Sequence, residues 1–231
     1  MKSTGGSDAA KRAAGEAAAE AVADGDVVGL GTGSTAAHAI RALGRAVDAG
    51  LDVRGVPSSY QSRALAREVG VPLVALEDVA TVDLAIDGAD QVCGFDLVKG
   101  GGAAHAREKV VAAAADRFLV VVDPSKEGDA LDHPVPVSVL PDARSAVAAA
   151  IEDLGGAPTL RGATAKDGPV VTDNGNLVLD ADFGRIGAPA ELAASLSAVP
   201  GAVEHGLFVG MADAVYIGSE DGVEVRGRSP A

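Results

Sequence analysis

A chain of 231 residues with 48% hydrophobic side chains can bury a sizeable core, but aromatics are only 3% and Trp is absent, so Ala, Val, Leu and Ile must fill it. A net charge of −14 argues against a nucleic-acid partner, because phosphate backbones demand a basic surface, and an anionic small molecule would need a local basic pocket. One cysteine, Cys93, leaves no intrachain disulfide or thiolate-built metal site; with no apolar run near the roughly 20 residues of a membrane span and no signal-peptide core in polar Met1–Ser7, the chain is expected to be cytoplasmic.

In chain order, Ala-rich Asp8–Ala23 predicts a helix capped by Ser7 or Asp8. The apolar run Val27–Leu30 predicts a buried strand, Gly31–Thr35 a glycine turn and Ala36–Val47 a helix, the opening unit of a parallel α/β sheet. The alternation continues with strand Asp52–Val56, helix Ser59–Val69, strand Pro72–Leu76 and strand Val82–Ile86, which ends in Asp87-Gly88-Ala89-Asp90. Phe95–Val98 leads into Lys99-Gly100-Gly101-Gly102, then a helix over Ala104–Ala115 and an apolar strand, Phe118–Val122.

From His133 the pattern changes. A strand at Val135–Leu140 and a helix to Leu154 with Asp142 as its cap precede strand signals at Leu160, Val170–Val171 and Leu177–Leu179, with Asp173-Asn174-Gly175 a hairpin turn. A helix at Ala190–Leu196 and a strand at Val203–Phe208 complete a small α+β domain, and Ala214–Ile217 and Val223–Val225 return as strands to the first. The expected division is 1–132 plus 209–231 for a parallel-sheet α/β domain and 133–208 for the smaller one.

Several turns carry residues suited to chemistry. Gly29-Leu30-Gly31-Thr32-Gly33-Ser34-Thr35 sets free backbone N–H groups and three hydroxyls at a helix start, a ready anion site. It lacks the Gly-Lys-Ser/Thr of a Walker A loop and the third glycine of a dinucleotide fingerprint, and it reads equally as a tight turn with a hydroxyl cap. Asp87 and Asp90 stand beyond a strand's carboxyl end, where open α/β sheets bind ligands, although acids are frequent throughout this chain. Lys99 with three following glycines lets backbone approach a ligand closely beside a positive charge. Glu108 follows in the next helix, where it is either a base over a reacting carbon or, beside Arg107 and Lys109, a solvent-facing residue. Lys126 lies beyond another strand end, whereas Lys11 reads as a surface residue. His38, His105, His133 and His205 show no metal-ligand spacing, and His105 reads as a neighbour of the site rather than its acid or base.

Six motifs in order resemble the A-type ribose-5-phosphate isomerases along nearly the whole chain: Gly29–Thr35, Ile86–Asp90, Lys99–Gly102 through Arg107-Glu108-Lys109, Asp123–Lys126, Thr172–Asn176 and Glu204–Phe208. The resemblance implies a Rossmann-like domain with a small ferredoxin-like lid. It also implies a cofactor-free intramolecular oxidoreductase of the non-oxidative pentose phosphate pathway that interconverts ribose 5-phosphate and ribulose 5-phosphate, with no metal and no nucleic-acid or membrane partner. It carries Glu108 over as the base of an enediol(ate) route and Asp87 to proton handling at the sugar oxygens. Asp90 and Lys99 would stabilise charge near C1 and C2, with Gly100, Gly101 and Gly102 against the substrate. Thr32, Gly33, Ser34, Thr35 and Lys11 match the phosphate end, and Lys126 a substrate-facing lysine. Gln91 and Cys93 depart from the family, which often carries more acid in that stretch. A homodimer or homotetramer is expected. Two rivals share this style of fold: a coenzyme A transferase would trap a thioester on its glutamate, and a sugar-phosphate sensor usually carries a DNA-binding module, for which this acidic chain has no basic helix.

The scattered acids fit a high-salt cytoplasm, where screening removes self-repulsion. The melting temperature is expected to rise from low to molar KCl, and a flat profile in thermal scans would contradict this reading of the charge.

Overall fold

The computed structural model describes residues 5–228; Met1–Thr4, which the signal-peptide reading covers, and 229–231 lie outside it. In chain order the elements are α1 (Asp8–Ala19), β1 (Val27–Leu30), α2 (Ser34–Asp48), β2 (Arg54–Pro57), α3 (Tyr60–Glu68) and β3 (Leu84–Asp87). Then come β4 (Gln91–Cys93), β5 (Asp96–Val98), α4 (His105–Ala113), β6 (Phe118–Val122), β7 (Val135–Val139), α5 (Arg144–Asp153) and β8 (Ala157–Leu160). The last are β9 (Leu177–Asp182), α6 (Pro189–Ser197), β10 (Ala202–His205), β11 (Leu207–Phe208), β12 (Ala214–Ser219) and β13 (Gly222–Gly227).

The chain forms two units. Of the described residues, one comprises 5–89, 107–127 and 211–228; the other comprises 90–106 and 128–210. The expected division at 132/133 is thus drawn differently. The reason is pairing: β5 joins β4 and β11 in a three-stranded sheet, and Val98 packs in one core with Val135, Val137 and Leu207, so the stretch after the Asp87–Asp90 turn belongs with the later strands.

The first unit is a six-stranded sheet in the order β13-β12-β6-β3-β1-β2, parallel except for the edge strand β13. β1, β3 and β6 are buried along their whole lengths, as apolar strands covered on both faces must be. Strand alternation sorts the two faces. Val28 and Leu30 pack on Ile40, Leu43 and Ala66 of α2 and α3, while Leu84, Ile86, Leu119 and Val121 pack on Ala14 and Ala18 of α1. The opposite face carries Gly29 and Ala85, where a Cβ on Gly29 would come 2.6 Å from Val111 of α4. The missing side chain sets how closely α4 can lie on the sheet. Glu16 accepts from Arg12 of its own helix (3.0 Å) and from Arg45 of α2 (2.6 Å), and the second bond ties α1 to α2. Burial works to raise the Glu16 carboxyl, but the two arginines outweigh it and hold it below its usual value. That stabilisation is therefore lost as pH falls through the lowered value, and at an exposed site it is small.

The second unit follows the order strand-helix-strand-strand-helix-strand, with its antiparallel sheet arranged β10-β7-β9-β8, which is the ferredoxin-like split βαβ. Its core joins Val135, Val137 and Val139 to Val147 and Ile151 of α5 and Leu196 of α6.

Several local expectations change. α1 ends at Ala19. Pro72–Leu76 contributes only a bridge at Leu73 to Gly55 and then a 3-10 turn. Asp142 does not cap α5: it sits inside a 3-10 turn, and the helix begins after Ala143 without a side-chain cap. Thr172–Asn176 does turn, but Val170–Val171 is no strand. Val203–Phe208 divides at Gly206 into β10 and β11, which serve different sheets, because a Cβ there would lie 2.1 Å from the Lys99 carbonyl oxygen.

Gln91 uses both ends of its amide. Nε2 donates to the Ala130 carbonyl (3.1 Å) and the Asp132 carboxylate (2.7 Å), while Oε1 accepts from the backbone N–H groups of Asp132 and His133, both at 2.8 Å. A carboxylate could accept but not donate, and it would face Asp132. Gln91→Glu is expected to cost about 1–3 kcal/mol; an unchanged urea midpoint at neutral pH would show that the donor end contributes nothing.

Candidate active site

In the first unit, β1, β3 and β6 are adjacent and parallel, so the segments after their carboxyl ends share one edge of the sheet. The chain runs from β1 outward to β2 and then returns to the other side of β1 with β3. This reversal opens a crevice at the carboxyl ends of β1 and β3, the place where open α/β sheets bind ligands. Gly31–Thr35 and Asp87 flank it, and Asp123–Lys126 follows β6 on the same edge.

Asp87 is 4% exposed. Its Oδ1 accepts from the backbone N–H of Thr32 (2.9 Å) and of Gly88 (2.7 Å). Gly31 makes this possible, because a Cβ there would stand 2.2 Å from the same oxygen. The Thr32 hydroxyl donates to Ser59 Oγ (2.7 Å), and Ser58 in turn donates to the Leu30 carbonyl (2.9 Å). Ser58 and Ser59 thus brace the turn from the end of β2. The sequence reading passed over both, since serines before a helix ordinarily signal a cap, and Ser59 does cap α3.

Gly33 is the N-cap residue of the fifteen-residue α2, with φ +108°, no side-chain cap and no acid in the helix's first turn. Ser34 is exposed and Thr35 buried. The helix therefore presents uncapped N–H groups and its positive dipole end, which suit an anion. Lys126 is 8% exposed, so it is no ordinary loop lysine. Lys11 is half-buried on α1, and among the described residues no hydrogen bond joins its side chain to the turn.

Glu108 stands in the first turn of α4 and is 5% exposed, which removes the solvent-facing reading. Helical spacing puts Glu108, Val111 and Ala112 on one face. Strand alternation puts Gly29, Gly31, Ala85 and Asp87 on the sheet face opposite. The two sets line one narrow cavity, into which Ser58 also reaches. Two buried carboxylates thus border a single space, one of them fixed by backbone donors.

In the second unit Lys99 is 3% exposed, its ammonium 5.3 Å from the centroid of the Phe208 ring. The Lys99 backbone N–H donates to the Gly206 carbonyl (2.8 Å), and Asp90 accepts from the Gly101 N–H (2.6 Å). A Cβ on Gly101 would meet the Asp90 carboxylate at 2.5 Å. Gly100 and Gly102 complete the loop, which closes through Ala103 N–H to the Gly100 carbonyl at 2.9 Å. His105 is fully buried beside Gly100. Arg161 donates to the Gly100 carbonyl at 2.7 Å, and the sequence reading missed it because one arginine after a strand carries no signal. Among the described residues, no cluster of His, Cys, Asp and Glu could hold a metal ion, and no helix is long and apolar enough to cross a membrane.

A Cβ at position 31 must displace the Asp87 carboxylate from the Thr32 N–H. Gly31→Ala is expected to lower stability by about 1–3 kcal/mol through overpacking; a wild-type urea midpoint would show that the turn gives way freely.

Comparison with known proteins places these features in context. The family model described as ribose 5-phosphate isomerase A (phosphoriboisomerase A) matches residues 54–222. The ribose-5-phosphate isomerase A of Haloarcula marismortui is 71% identical over 96% of this chain and 97% of its own length. That of Natronomonas pharaonis is 66% identical over 98% and 100%. Among solved structures, ribose 5-phosphate isomerase A from Methanocaldococcus jannaschii aligns with TM-score 0.90 and 41% identity, covering 94% of this chain and 98% of its own. A D-ribose-5-phosphate isomerase in complex with phospho-erythronic acid aligns with TM-score 0.91 and 40% identity, covering 94% and 97%.

Proposed function

The chain belongs to the ribose 5-phosphate isomerase A family and interconverts D-ribose 5-phosphate and D-ribulose 5-phosphate; we propose that Glu108 is the base that moves the proton between C1 and C2. The observation that carries this assignment is the cavity shared by buried Glu108 and buried Asp87. On the open-chain aldose, the Glu108 carboxylate takes the proton from C2. The C–H pair becomes the C1–C2 double bond, and the carbonyl pair moves to O1, giving an enediolate. Glu108 returns its proton to C1, and the O2 proton passes to O1, so that O2 becomes the ketone oxygen and O1 the C1 hydroxyl. No electrons leave the substrate.

The other roles follow from the charge each step develops. Asp87, held by two N–H donors, handles the proton at the sugar oxygens during ring opening. Lys99 and Asp90 stabilise negative charge and position protons at O1 and O2, supported by the backbone of Gly100, Gly101 and Gly102. The uncapped start of α2, with Thr32, Gly33, Ser34 and Thr35, binds the phosphate, and Lys11 and Lys126 add positive charge. An anchor remote from the reacting carbons gives binding energy that can orient C1 and C2 over the base. The phospho-erythronic acid of the related structure, a phosphorylated sugar acid, supports this division between an anion end and a reacting end. The enzyme works in the cytoplasm as a homodimer or homotetramer.

Glu108→Gln is expected to fold normally and to lose about 10²–10⁴-fold in kcat for ribose 5-phosphate, the range of a general base. Turnover should survive EDTA. Near-wild-type kcat in the folded variant would remove Glu108 from the mechanism.

A further inference from the structure

We propose that Arg161, held by Asp180, is a positioning residue that fixes the peptide orientation of the Gly100–Gly102 loop. The inference rests on the reading that this loop meets the substrate.

The setting is the face of the antiparallel sheet turned away from its core. Register places Thr159 of β8 opposite Asp180 of β9 and Leu160 opposite Leu179. Leu179 packs inward with Ala181, so by alternation Asp180 and Arg161 project to the other face as diagonal neighbours. There the guanidinium forms a two-point pair with Asp180: Nε donates to Oδ2 at 2.9 Å, and Nη2 donates to Oδ1. Both side chains are largely buried, at 11% and 19% exposure. The backbone of Arg161 is pinned as well, donating to the Val178 carbonyl and accepting from the Val170 N–H, both at 2.9 Å. This arginine has little freedom.

Its remaining nitrogen, Nη1, is directed at the loop. It donates to the Gly100 carbonyl at 2.7 Å and reaches the Gly101 carbonyl at 3.3 Å. A trans peptide points its C=O and N–H in opposite directions. Holding the Gly100 oxygen toward Arg161 therefore turns the Gly101 N–H the other way, where Asp90 accepts it at 2.6 Å. Holding the Gly101 oxygen turns the Gly102 N–H away from the guanidinium in the same manner. Arg161 and Asp90 thus grip one peptide from opposite sides. Glycine peptides rotate readily, and three in sequence would otherwise sample many orientations. A rigid fork meeting two carbonyls removes that freedom; a lysine, with one point charge on a flexible stem, would not.

A buried ion pair is weak evidence for a purely stabilising role, since an apolar pair of similar volume often replaces it without loss. That gives a separation between structure and function. The double variant Arg161→Met/Asp180→Leu is expected to keep wild-type stability but to lose about 100-fold in kcat/KM for ribose 5-phosphate, the scale of a small misplacement at a reacting centre. Arg161→Lys should be nearly as impaired. Arg161→Gly should be partly restored by methylguanidinium and not by urea or KCl at equal concentration. A folded double variant with wild-type kcat and kcat/KM, or a folded Arg161→Gly that methylguanidinium leaves unrestored, would overturn the proposal. Gly101→Ala, run alongside, tests the underlying reading: full activity there means the loop is not part of the site, whereas collapse there with an active double variant sinks only the role of Arg161.

Discussion

The close approach of α4 to the parallel sheet is the constraint on which the cavity between Glu108 and Asp87 depends. Gly29 has no side chain and Ala85 has a small one, and Val111 fills the space they leave. Because α4 lies so near, the residue one turn before Val111 comes down beside the end of β3. That residue is Glu108, and the end of β3 is Asp87. The geometry comes from three spacings: two along a strand, three or four along a helix, and one glycine where the two surfaces touch. A larger residue at position 29 would lift the helix and carry the carboxylate with it.

A second theme is the handling of charge in a protein that carries a large negative excess. In both units, acids turned away from solvent meet assigned donors. Asp87 is met by two backbone N–H groups, Asp90 by one, and Asp180 by an arginine fork. Backbone donors neutralise without adding a cation that could compete for a phosphorylated substrate. The cations that are buried, Lys99 and Lys126, stand beyond strand ends rather than within the cores. The acidic surface and the two buried lysines are thus separate features of the charge distribution.

Much of this was legible in the sequence because it is local. Four- and five-residue apolar runs separated by glycine turns read directly as parallel strands, and Asp87, Lys99 and Lys126 could be singled out by their place after them. Glu108 was ambiguous, since flanking charges mimic an exposed helix and only the depth of α4 resolves it. The grouping of β4 and β5 with the later strands was not legible because both are short, β4 pairs only with β5, and β5 pairs with β11, more than a hundred residues on. Ser58 and Arg161 carried no signal for a related reason. Each acts through a backbone carbonyl distant in sequence, and nothing in its own neighbours announces the partner.

The strand order also has a meaning for the nascent chain. β6 lies inside the finished sheet, paired with β3 on one side and β12 on the other, yet β12 is made about ninety residues after it. At translation rates of roughly 5–20 residues per second, the five apolar residues of Phe118–Val122 wait several seconds as an open edge while the whole α+β unit is synthesised. Only then do β12 and the charged strand β13 arrive to close it. The interleaving that brings both units into one polypeptide thus leaves a transient sticky edge, and the last two strands of the chain act as its seal.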